Sequence, residues 1–517
     1  MTELLPLVSA NLASAVHFRP ELALTFGTVA LLVADLRWKR DAARRTWLAA
    51  SALAVLAITA GLLAAQPAGS RALFNGMIAS DAFATFFKWL FLAAAALTVL
   101  IAAPGKDFPA ARLGEFYALL MAIVLGLFLM ASATDLLMAY LAIELVSMTS
   151  YVLSGFRKGD RRAAEASLKY VIYGGVASGL MLFGMSYLYG LLRTTSFHEL
   201  AGQIQLLQAT GLPAAATRLT LVVALILVAA GIGYKVAAVP WHMWCPDVYE
   251  GAPTPFTAFL SVGPKAAGFA LALRFFYGAL SGPSPVAAGL GVAAGGLPWP
   301  AIIGIIAAIT MTLGNLTALA QTSVKRLLAY SSIAHAGYTL MGLSAASDLG
   351  VQAVMIYLLV YLVMNVGAFL AVILVAEATG SESLLDYRGL GRRHPLAATA
   401  FAIFLFSLTG LPPFAGFVGK WYLFYAVFAR IGGPGGNWYA GLAAIGAINT
   451  AISLYYYVRV VRAMFIDVPA REPAAVPAPP ALYQALLGAS AIAILVFGVW
   501  WTPMVDWTGA SLQIFRG

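Results

Sequence analysis

The chain has 517 residues, of which 62% are hydrophobic and 10% are charged, and its formal net charge is +10 at pH 7. A soluble domain carries about 25% charged residues, so this composition excludes an ordinary soluble protein and predicts a polytopic membrane protein. The apolar runs are about 20 residues long and lack the alternation of a β-barrel, which predicts membrane-spanning helices.

The residue content also excludes several kinds of site. The single cysteine, Cys245, excludes an internal disulfide, a four-thiolate iron–sulfur centre and a cysteine zinc site. Neither a Gly-rich dinucleotide fingerprint nor a P-loop occurs, so we expect no cofactor and no metal in this chain. No basic patch interleaved with aromatic residues suggests nucleic-acid binding, and no basic region ahead of a short apolar core suggests a cleaved signal peptide.

Apolar runs bounded by charged residues, Pro and Gly predict about fourteen spans and no soluble domain. The predicted spans are 21–37, 46–66, 81–102, 114–132, 135–156, 163–192, 217–239, 253–279, 297–319, 324–345, 349–377, 396–428, 437–464 and 482–503. Residues 197–210 are predicted to form a short amphipathic segment on the outer side. The Pro- and Ala-rich stretch 467–482 is predicted to be a cytoplasmic linker.

Basic residues are unevenly divided between the two sets of loops. The odd-numbered loops hold 19 of the 31 Lys and Arg residues, whereas the even-numbered loops and both termini hold 6. Because basic loops remain in the cytoplasm, we predict that the odd loops are cytoplasmic and that both termini lie outside. The other basic residues fall within predicted spans: Lys88, Lys169, Lys235, Lys265, Arg274 and Lys420.

The stretch 231–255 is predicted to be a broken helix that carries Lys235. Gly231 and Gly233 precede the lysine, and Pro240 interrupts the apolar run. Freed backbone groups and an ammonium are costly in hydrocarbon unless protein or a water-filled cavity receives them. Such a segment is expected to line an ion path, with a lysine that snorkels to the interface as the alternative.

A second interrupted helix is predicted at 396–428, which is too long for one straight span. Its Gly and Pro residues directly precede Lys420. A pair of interrupted helices predicts inverted repeats with an ion site at each break. We bracket these repeats as 114–279 and 297–464, each with five spans, within a single membrane domain of 1–517. Three helices in 1–113 precede the repeats, and a C-terminal helix at 482–503 follows them.

Glu144 is the acidic residue that lies deepest in a predicted span. Tyr140, Ser147 and Tyr151 share its helix face and make one polar stripe on an otherwise apolar helix. A buried carboxylate needs a partner or takes a proton. We therefore expect Glu144 to approach Lys235 inside the bundle, with a polar anchor for helix packing as the alternative.

The remaining basic residues within spans differ in their surroundings. Lys265 lies close to the midplane without a local carboxylate, whereas Lys169 could pair with Glu165 at i−4. Lys88 and Arg274 lie nearer the ends of their spans, so both are expected to snorkel.

His335 is the only histidine well inside a predicted span, and Ser331, Ser332 and Tyr338 surround it on the same helix. A core histidine bonded to a hydroxyl is one interpretation. A proton relay is the other, since an imidazole titrates near neutral pH.

Several strings of this sequence resemble a known family, among them YLAIELVSMTSYVLSGF, YKVAAVPWHMWCPDVYEGAPTPFTAFLSVGPKAA, GNLTALAQTSVKRLLAYSSIAHAGY and LTGLPPFAGFVGKWYLF. They resemble the antiporter-like membrane subunits of proton-pumping NADH:quinone oxidoreductase, respiratory complex I, over about residues 80–465. The PDVYEGAPTP run is most similar to the subunit N (subunit 2) group.

This resemblance implies proton-translocation roles for Glu144, Lys235, Lys265 and Lys420 as the fifth-, seventh-, eighth- and twelfth-helix residues of the family. Glu144 and Lys235 would be a switching pair, Lys265 the central relay and Lys420 the terminal site. Lys169, the counterpart of a sixth-helix lysine, and His335 would be auxiliary.

The resemblance also implies a location and partners. The chain would lie in the bacterial inner membrane beside sister antiporter-like subunits and small helical subunits. Quinone, NADH, FMN and iron–sulfur centres are expected in other subunits, which would supply the driving energy. The alternatives are a subunit of a cation/proton antiporter or membrane-bound hydrogenase, with sodium as a possible ion, and a structural subunit with a vestigial channel.

Overall fold

The computed structural model describes residues 4–37, 43–209, 214–280, 297–433, 435–468 and 479–512. The first part of the chain forms α1 (Leu4–His17), α2 (Arg19–Arg37), α3 (Arg44–Ala64) and α4 (Ala82–Ala102). An antiparallel hairpin of β1 (Arg71–Leu73) and β2 (Ile78–Ser80) joins α3 to α4.

The middle of the chain continues as α5 (Leu113–Ser132), α6 (Leu136–Ser154), α7 (Arg161–Leu192), α8 (Phe197–Ala209), α9 (Ala214–Val236), α10 (Trp244–Gly251) and α11 (Thr254–Leu273). A 3₁₀ turn at Ala110–Arg112 precedes α5, and a π-helical turn at Arg274–Ala279 follows α11. The predicted amphipathic segment coincides with α8.

The last part forms α12 (Trp299–Leu319), α13 (Val324–Ser344), α14 (Asp348–Thr379), α15 (Leu390–Arg393), α16 (Pro395–Thr409), α17 (Ala415–Phe428), α18 (Gly436–Phe465), α19 (Ala481–Val499) and α20 (Thr502–Ala510). A 3₁₀ turn, Leu384–Tyr387, lies between α14 and α15. Most of the predicted linker at 467–482 lies outside the described residues.

The helical multi-pass class predicted from the sequence is confirmed. Among the described residues, 11 helices are long and apolar enough to cross a membrane, or up to 12 when α1 and α2, which meet at a bend of 79°, count as one span. The helices α13, α16 and α17 occupy predicted spans but are not among the helices that are long and apolar enough to cross a membrane. The predicted number of fourteen spans therefore stays a prediction.

Short polar side chains start several of these helices. Asp81, Asp135 and Asp160 cap α4, α6 and α7 by accepting hydrogen bonds from backbone N–H groups of the first turn. Ser323 and Ser347 do the same for α13 and α14. Each cap satisfies donors that have no partner within the helix, which fixes where an apolar run becomes a helix.

The helix α11 lies at the centre of the bundle. Every residue of its most apolar 18-residue window is buried, and it packs against α4, α5, α9 and α14. Pro264 lies inside this helix, immediately before Lys265. The central position of α11 brings that lysine into the protein interior rather than to lipid.

Both predicted helix interruptions occur. The first separates α9 from α11, and the short helix α10, which the sequence did not predict, lies within it. The predicted seventh span, 217–239, ends early at Val236, because Ala237 adopts a left-handed φ of 59°. The second interruption separates α16 from α17, where Gly410 adopts a φ of 88° that a side chain would strain.

Candidate functional site

Three of the buried lysines lie beside a helix interruption or on the central helix. Lys235 occupies the last turn of α9, Lys265 the middle of α11 and Lys420 the second turn of α17. Their exposed fractions are 1%, 3% and 4%. Burial of three ammonium groups is costly, so their contacts determine what the site can do.

Lys235 contacts α6 through a hydroxyl rather than a carboxylate. Its Nζ donates a hydrogen bond to Ser147 Oγ at 2.9 Å. Glu144 lies one turn earlier on α6 and acts electrostatically on Lys235, although the two form no ion pair. The sequence therefore predicted the correct pair of helices, and the direct partner is Ser147.

Glu144 lies at the edge of the α6 surface that faces the bundle. Ser147 and Tyr151 are buried, whereas Leu141 and Met148 are 51% and 61% exposed. One carboxylate oxygen, Oε1, is enclosed and has no hydrogen-bond partner. This enclosed oxygen can therefore accept a hydrogen bond from a further partner.

Lys265 is held by α13. Its Nζ donates to Ser332 Oγ at 2.5 Å and to Ser332 O at 3.0 Å. The ammonium also lies 5.8 Å from the centre of the Tyr249 ring, and the Tyr249 hydroxyl is 3.4 Å from Ser332 Oγ. Among the described residues, no carboxylate forms an ion pair with Lys265.

Lys420 reaches back across the second interruption. Its Nζ donates to Thr409 O, the final carbonyl of α16, at 2.8 Å. A cation is favoured there because helix C-termini carry partial negative charge. The ammonium also lies 4.4 Å from the centre of the Tyr338 ring, a favourable cation–π distance.

One face of α13 connects Lys265 with Lys420. Ser332, His335 and Tyr338 follow one another at intervals of three along this helix, and His335 is within electrostatic range of both lysines. This spacing keeps the three side chains on adjoining positions of one helix surface.

Tyrosine hydroxyls hold the imidazole of His335. Nδ1 contacts the Tyr357 hydroxyl, and Nε2 lies 3.1 Å from the Tyr457 hydroxyl. The Tyr457 hydroxyl also contacts Ser331 Oγ. The serine expected beside His335 therefore reaches it through a tyrosine that sequence reasoning missed.

Lys169 belongs to a more exposed cluster. Its Nζ pairs with Glu165, as the i−4 spacing predicted, and with Asp247 of α10, both at 2.6 Å. Asp247 also pairs with Arg326 of α13 at 2.7 Å, and Arg326 pairs with Glu250 at 2.6 Å. The sequence did not indicate Asp247, Arg326 and Glu250, because the residues that pair in this cluster are far apart in the chain.

The charge state of Asp247 follows from these partners. Burial alone would raise the pKa of its carboxyl, but hydrogen bonds from Lys169 and Arg326 outweigh burial and hold that pKa below its usual value. Asp247 is therefore ionised at neutral pH.

The predicted snorkelling of Lys88 and Arg274 is wrong. Lys88 is 3% exposed and pairs with the buried Glu21 of α2 at 2.6 Å. Arg274 is 5% exposed and pairs with Asp81 at 2.7 Å. In each pair, a carboxylate from a distant part of the chain offsets the cost of burying the cation. The side chain therefore does not extend to water.

Cavities open where the odd-numbered loops meet. We call this side the basic-loop face and define it by residues 103–109, 155–160, 320–323 and 380–383. A cavity of about 680 Å³ on this face is lined by charged and hydroxyl side chains, including Asp107, Glu250 and Glu382. A second cavity, of about 200 Å³, is lined by Glu165, Asp247, Glu250 and Arg326.

No group of three or more His, Cys, Asp or Glu side chains suited to a metal ion occurs in the part of the chain that the structure describes.

Comparisons with known proteins match nearly the whole chain. Residues 133–446 match the family described as NADH:quinone oxidoreductase/Mrp antiporter, TM. A protein named NADH-quinone oxidoreductase subunit N from Anaeromyxobacter sp. is 73% identical, with 100% of both chains covered. NADH-quinone oxidoreductase subunit N 2 of Sorangium cellulosum is 46% identical over 98% of this chain and 99% of its own.

Solved structures with the same fold also match nearly the whole chain. A chain of respiratory complex I from Thermus thermophilus with bound aureothin has a TM-score of 0.75 at 30% identity, and the match covers 95% of this chain and all of that one. A chain of the Mrp complex from Dietzia sp. has a TM-score of 0.77 at 20% identity and covers 98% and 97%. The second likeness is one of fold alone.

Proposed function

Since the chain belongs to the NADH:quinone oxidoreductase/Mrp antiporter transmembrane family, we propose that it translocates protons as a membrane-arm subunit of NADH:quinone oxidoreductase, respiratory complex I. The relatives that it matches along their full length carry the name of subunit N of that enzyme. In this function the chain serves a translocase without performing redox catalysis itself.

The observation that carries the mechanism is the row of three buried ammonium groups, Lys235, Lys265 and Lys420, whose hydrogen bonds go to neutral oxygen atoms. Burial penalises the charged form of any lysine, and a nearby carboxylate compensates for that penalty. Without a paired carboxylate, a small movement of a neighbouring charge changes which form is favoured, because such interactions are poorly screened inside a protein. The row therefore suits the uptake and release of protons.

The roles follow the positions along this row. Glu144 and Lys235 act as the switching pair, with Ser147 between them, and a movement of Glu144 changes the charge state of Lys235. Lys265 is the central relay, and Lys420 is the terminal site. His335 acts as an auxiliary group on the α13 face that connects them. Lys169 is an auxiliary at the edge, beside the cavities of the basic-loop face.

The finer architecture is part of the proposal. The chain forms about fourteen spans, which requires α13 and the interrupted pair α16 and α17 to cross the membrane with the more apolar helices. Inverted repeats occupy 114–279 and 297–464, between the helices of 1–113 and the helix at 482–503. The meeting of odd-numbered loops on one face supports a cytoplasmic basic-loop face, with both termini outside the bacterial inner membrane.

The same proposal assigns partners. Sister antiporter-like subunits and small helical subunits contact this chain in the membrane arm, while NADH, FMN, iron–sulfur and quinone chemistry takes place in other subunits. The partly exposed Glu144, mid-helix on a surface of apolar side chains, supports a protein neighbour there, because lipid gives a carboxylate no hydrogen bond.

Substitution of the relay lysines tests this function. In the assembled complex, Lys235→Ala or Lys420→Ala should lower proton pumping, and quinone reduction should fall with it where coupling is tight. Lys→Arg at either position should not restore pumping fully, because a guanidinium with a pKa above about 12 does not release its proton. Pumping is measured in membrane vesicles beside the amount of assembled complex.

The same four variants separate the relay from a structural role. If the lysines only hold helices together, Arg should substitute well and Ala should lower the amount of complex. Normal pumping by fully assembled Lys235→Ala would contradict the relay.

A further inference from the structure

The short helix α10 has two chemically different faces. Asp247 and Glu250 are 30% and 28% exposed and border the cavities of the basic-loop face. Cys245 and Tyr249 are completely buried on the other side. Tyr249 and Glu250 are neighbours on this helix, yet one is buried in the interior and the other lines the cavities. The helix α10 therefore forms the wall between the cavities and the interior.

The buried face of α10 covers the central lysine. The Tyr249 ring lies beside the ammonium of Lys265, and its hydroxyl reaches the Ser332 hydroxyl that holds the same ammonium. The helix α10 therefore lies between the second cavity of the basic-loop face and Lys265. A shift of α10 is one direct way to connect water with the Lys265–Ser332 pair.

The exposed face of α10 is tied to two neighbouring helices through one carboxylate. Asp247 Oδ2 accepts from Lys169 of α7, and Asp247 Oδ1 accepts from Arg326 of α13. Asp247 thus bridges cations from two helices that pack against α10. Its partners are 37% and 27% exposed, so water can take the place of each ion pair when this tie opens.

The end of α10 is fastened more firmly. The completely buried Lys325 donates to Ala252 O at 3.0 Å and to Glu250 O at 3.3 Å, and Arg157 donates to Gly251 O at 3.0 Å. These bonds do not involve Asp247. Loss of the Asp247 tie would therefore let α10 shift while its C-terminal end stays attached.

We propose that Asp247 is a positioning residue that holds α10 closed between the cavities of the basic-loop face and Lys265. This inference rests on the proposed function, since it concerns access of protons to the same relay. Opening breaks the Lys169–Asp247 and Arg326–Asp247 pairs, and closure restores them.

The only cysteine of the chain reports this movement directly. Cys245 lies on α10, two residues before Asp247, and its exposed fraction is 0%. N-ethylmaleimide is added to the intact complex in membrane vesicles, and the modified fraction of the Cys245 peptide is measured by mass spectrometry over time. Asp247→Asn should raise the rate of modification about fivefold, the change in an opening equilibrium that corresponds to ~1 kcal/mol.

Matched variants identify the cause of any increase. Asp247→Glu keeps the carboxylate and should stay near the original rate. Asp467→Asn removes an ion pair with Arg462 far along the chain and should change nothing at Cys245. Glu250→Gln leaves Asp247 intact and should give a smaller increase, which keeps the test decisive if Asp247→Asn assembles poorly.

An unchanged rate of Cys245 modification in assembled Asp247→Asn and Glu250→Gln would overturn the proposal, as would an equal increase in Asp467→Asn. The readout is independent of pumping. Failure of the lysine variants to affect pumping would contradict the proposed function and leave the labelling result standing, so the two failures can be told apart.

Discussion

At the scale of single residues, the buried lysines fall into two groups. Lys88 and Lys325 pair with carboxylates, whereas Lys235, Lys265 and Lys420 bond to hydroxyl or carbonyl oxygens. The first group is expected to hold helices together and the second to exchange protons. Sequence reasoning could not predict the ion pair of Lys88, because its partner Glu21 is far away in the chain.

Lys88→Met should destabilise the protein strongly. The substitution leaves Glu21, which is 1% exposed, as an uncompensated buried carboxylate, and breaking a buried pair in this way costs about 3–5 kcal/mol. The thermal midpoint of the purified complex and the amount assembled should both fall.

Two further variants show whether the loss of pairing is responsible. Glu21→Leu combined with Lys88→Met removes both charges and should recover most of the loss, since apolar replacement of a whole pair is often neutral. Arg462→Gln breaks an exposed pair and should cost only about 0–1 kcal/mol. A double variant as unstable as Lys88→Met would contradict this account.

At the scale of elements, α13 is the part of the structure that joins the sites. Its Ser332 holds Lys265, and its Tyr338 ring faces Lys420. The sequence drew attention to this helix through His335 alone. The connection to Lys265 depends on how α11 and α13 pack, which a pattern along one helix does not contain.

Ser332→Ala should lower proton pumping with little loss of assembled complex. The substitution removes the hydroxyl that lies 2.5 Å from the Lys265 ammonium and leaves a backbone carbonyl as its acceptor. Ser344→Ala is the matched control, because Ser344 is also fully buried on α13 but its hydroxyl donates within its own helix, to Met341 O. Equal pumping by the two variants would show that the Ser332 hydroxyl has no part in the relay.

The two interruptions show which elements a sequence predicts well. The break before Lys420 follows from Gly and Pro residues that cannot continue a helix, and the structure interrupts the helix there. The helix α10 was missed because its eight residues are too few for a helical period to stand out beside Pro and Gly. Its position is set instead by contacts with α7 and α13.

At the scale of the whole molecule, the helical membrane class followed from the length of the apolar runs alone. Lys235, Lys265, Lys420 and Glu144 were also found from the sequence, because a charge in an apolar run is rare. The pairs that join distant helices, such as Arg274 with Asp81, were not predicted. They depend on three-dimensional packing that brings together residues far apart in the chain.

The cavity of about 680 Å³ on the basic-loop face is large enough for its water content to affect turnover. At roughly 30 Å³ per molecule of liquid water, it has room for on the order of twenty waters. If the slowest step of turnover brings more water into this cavity, osmotic pressure opposes that step. Turnover measured in solutions of excluded osmolytes should then slow as osmotic pressure rises, whereas a rate that does not respond would mean that the number of waters held there stays constant.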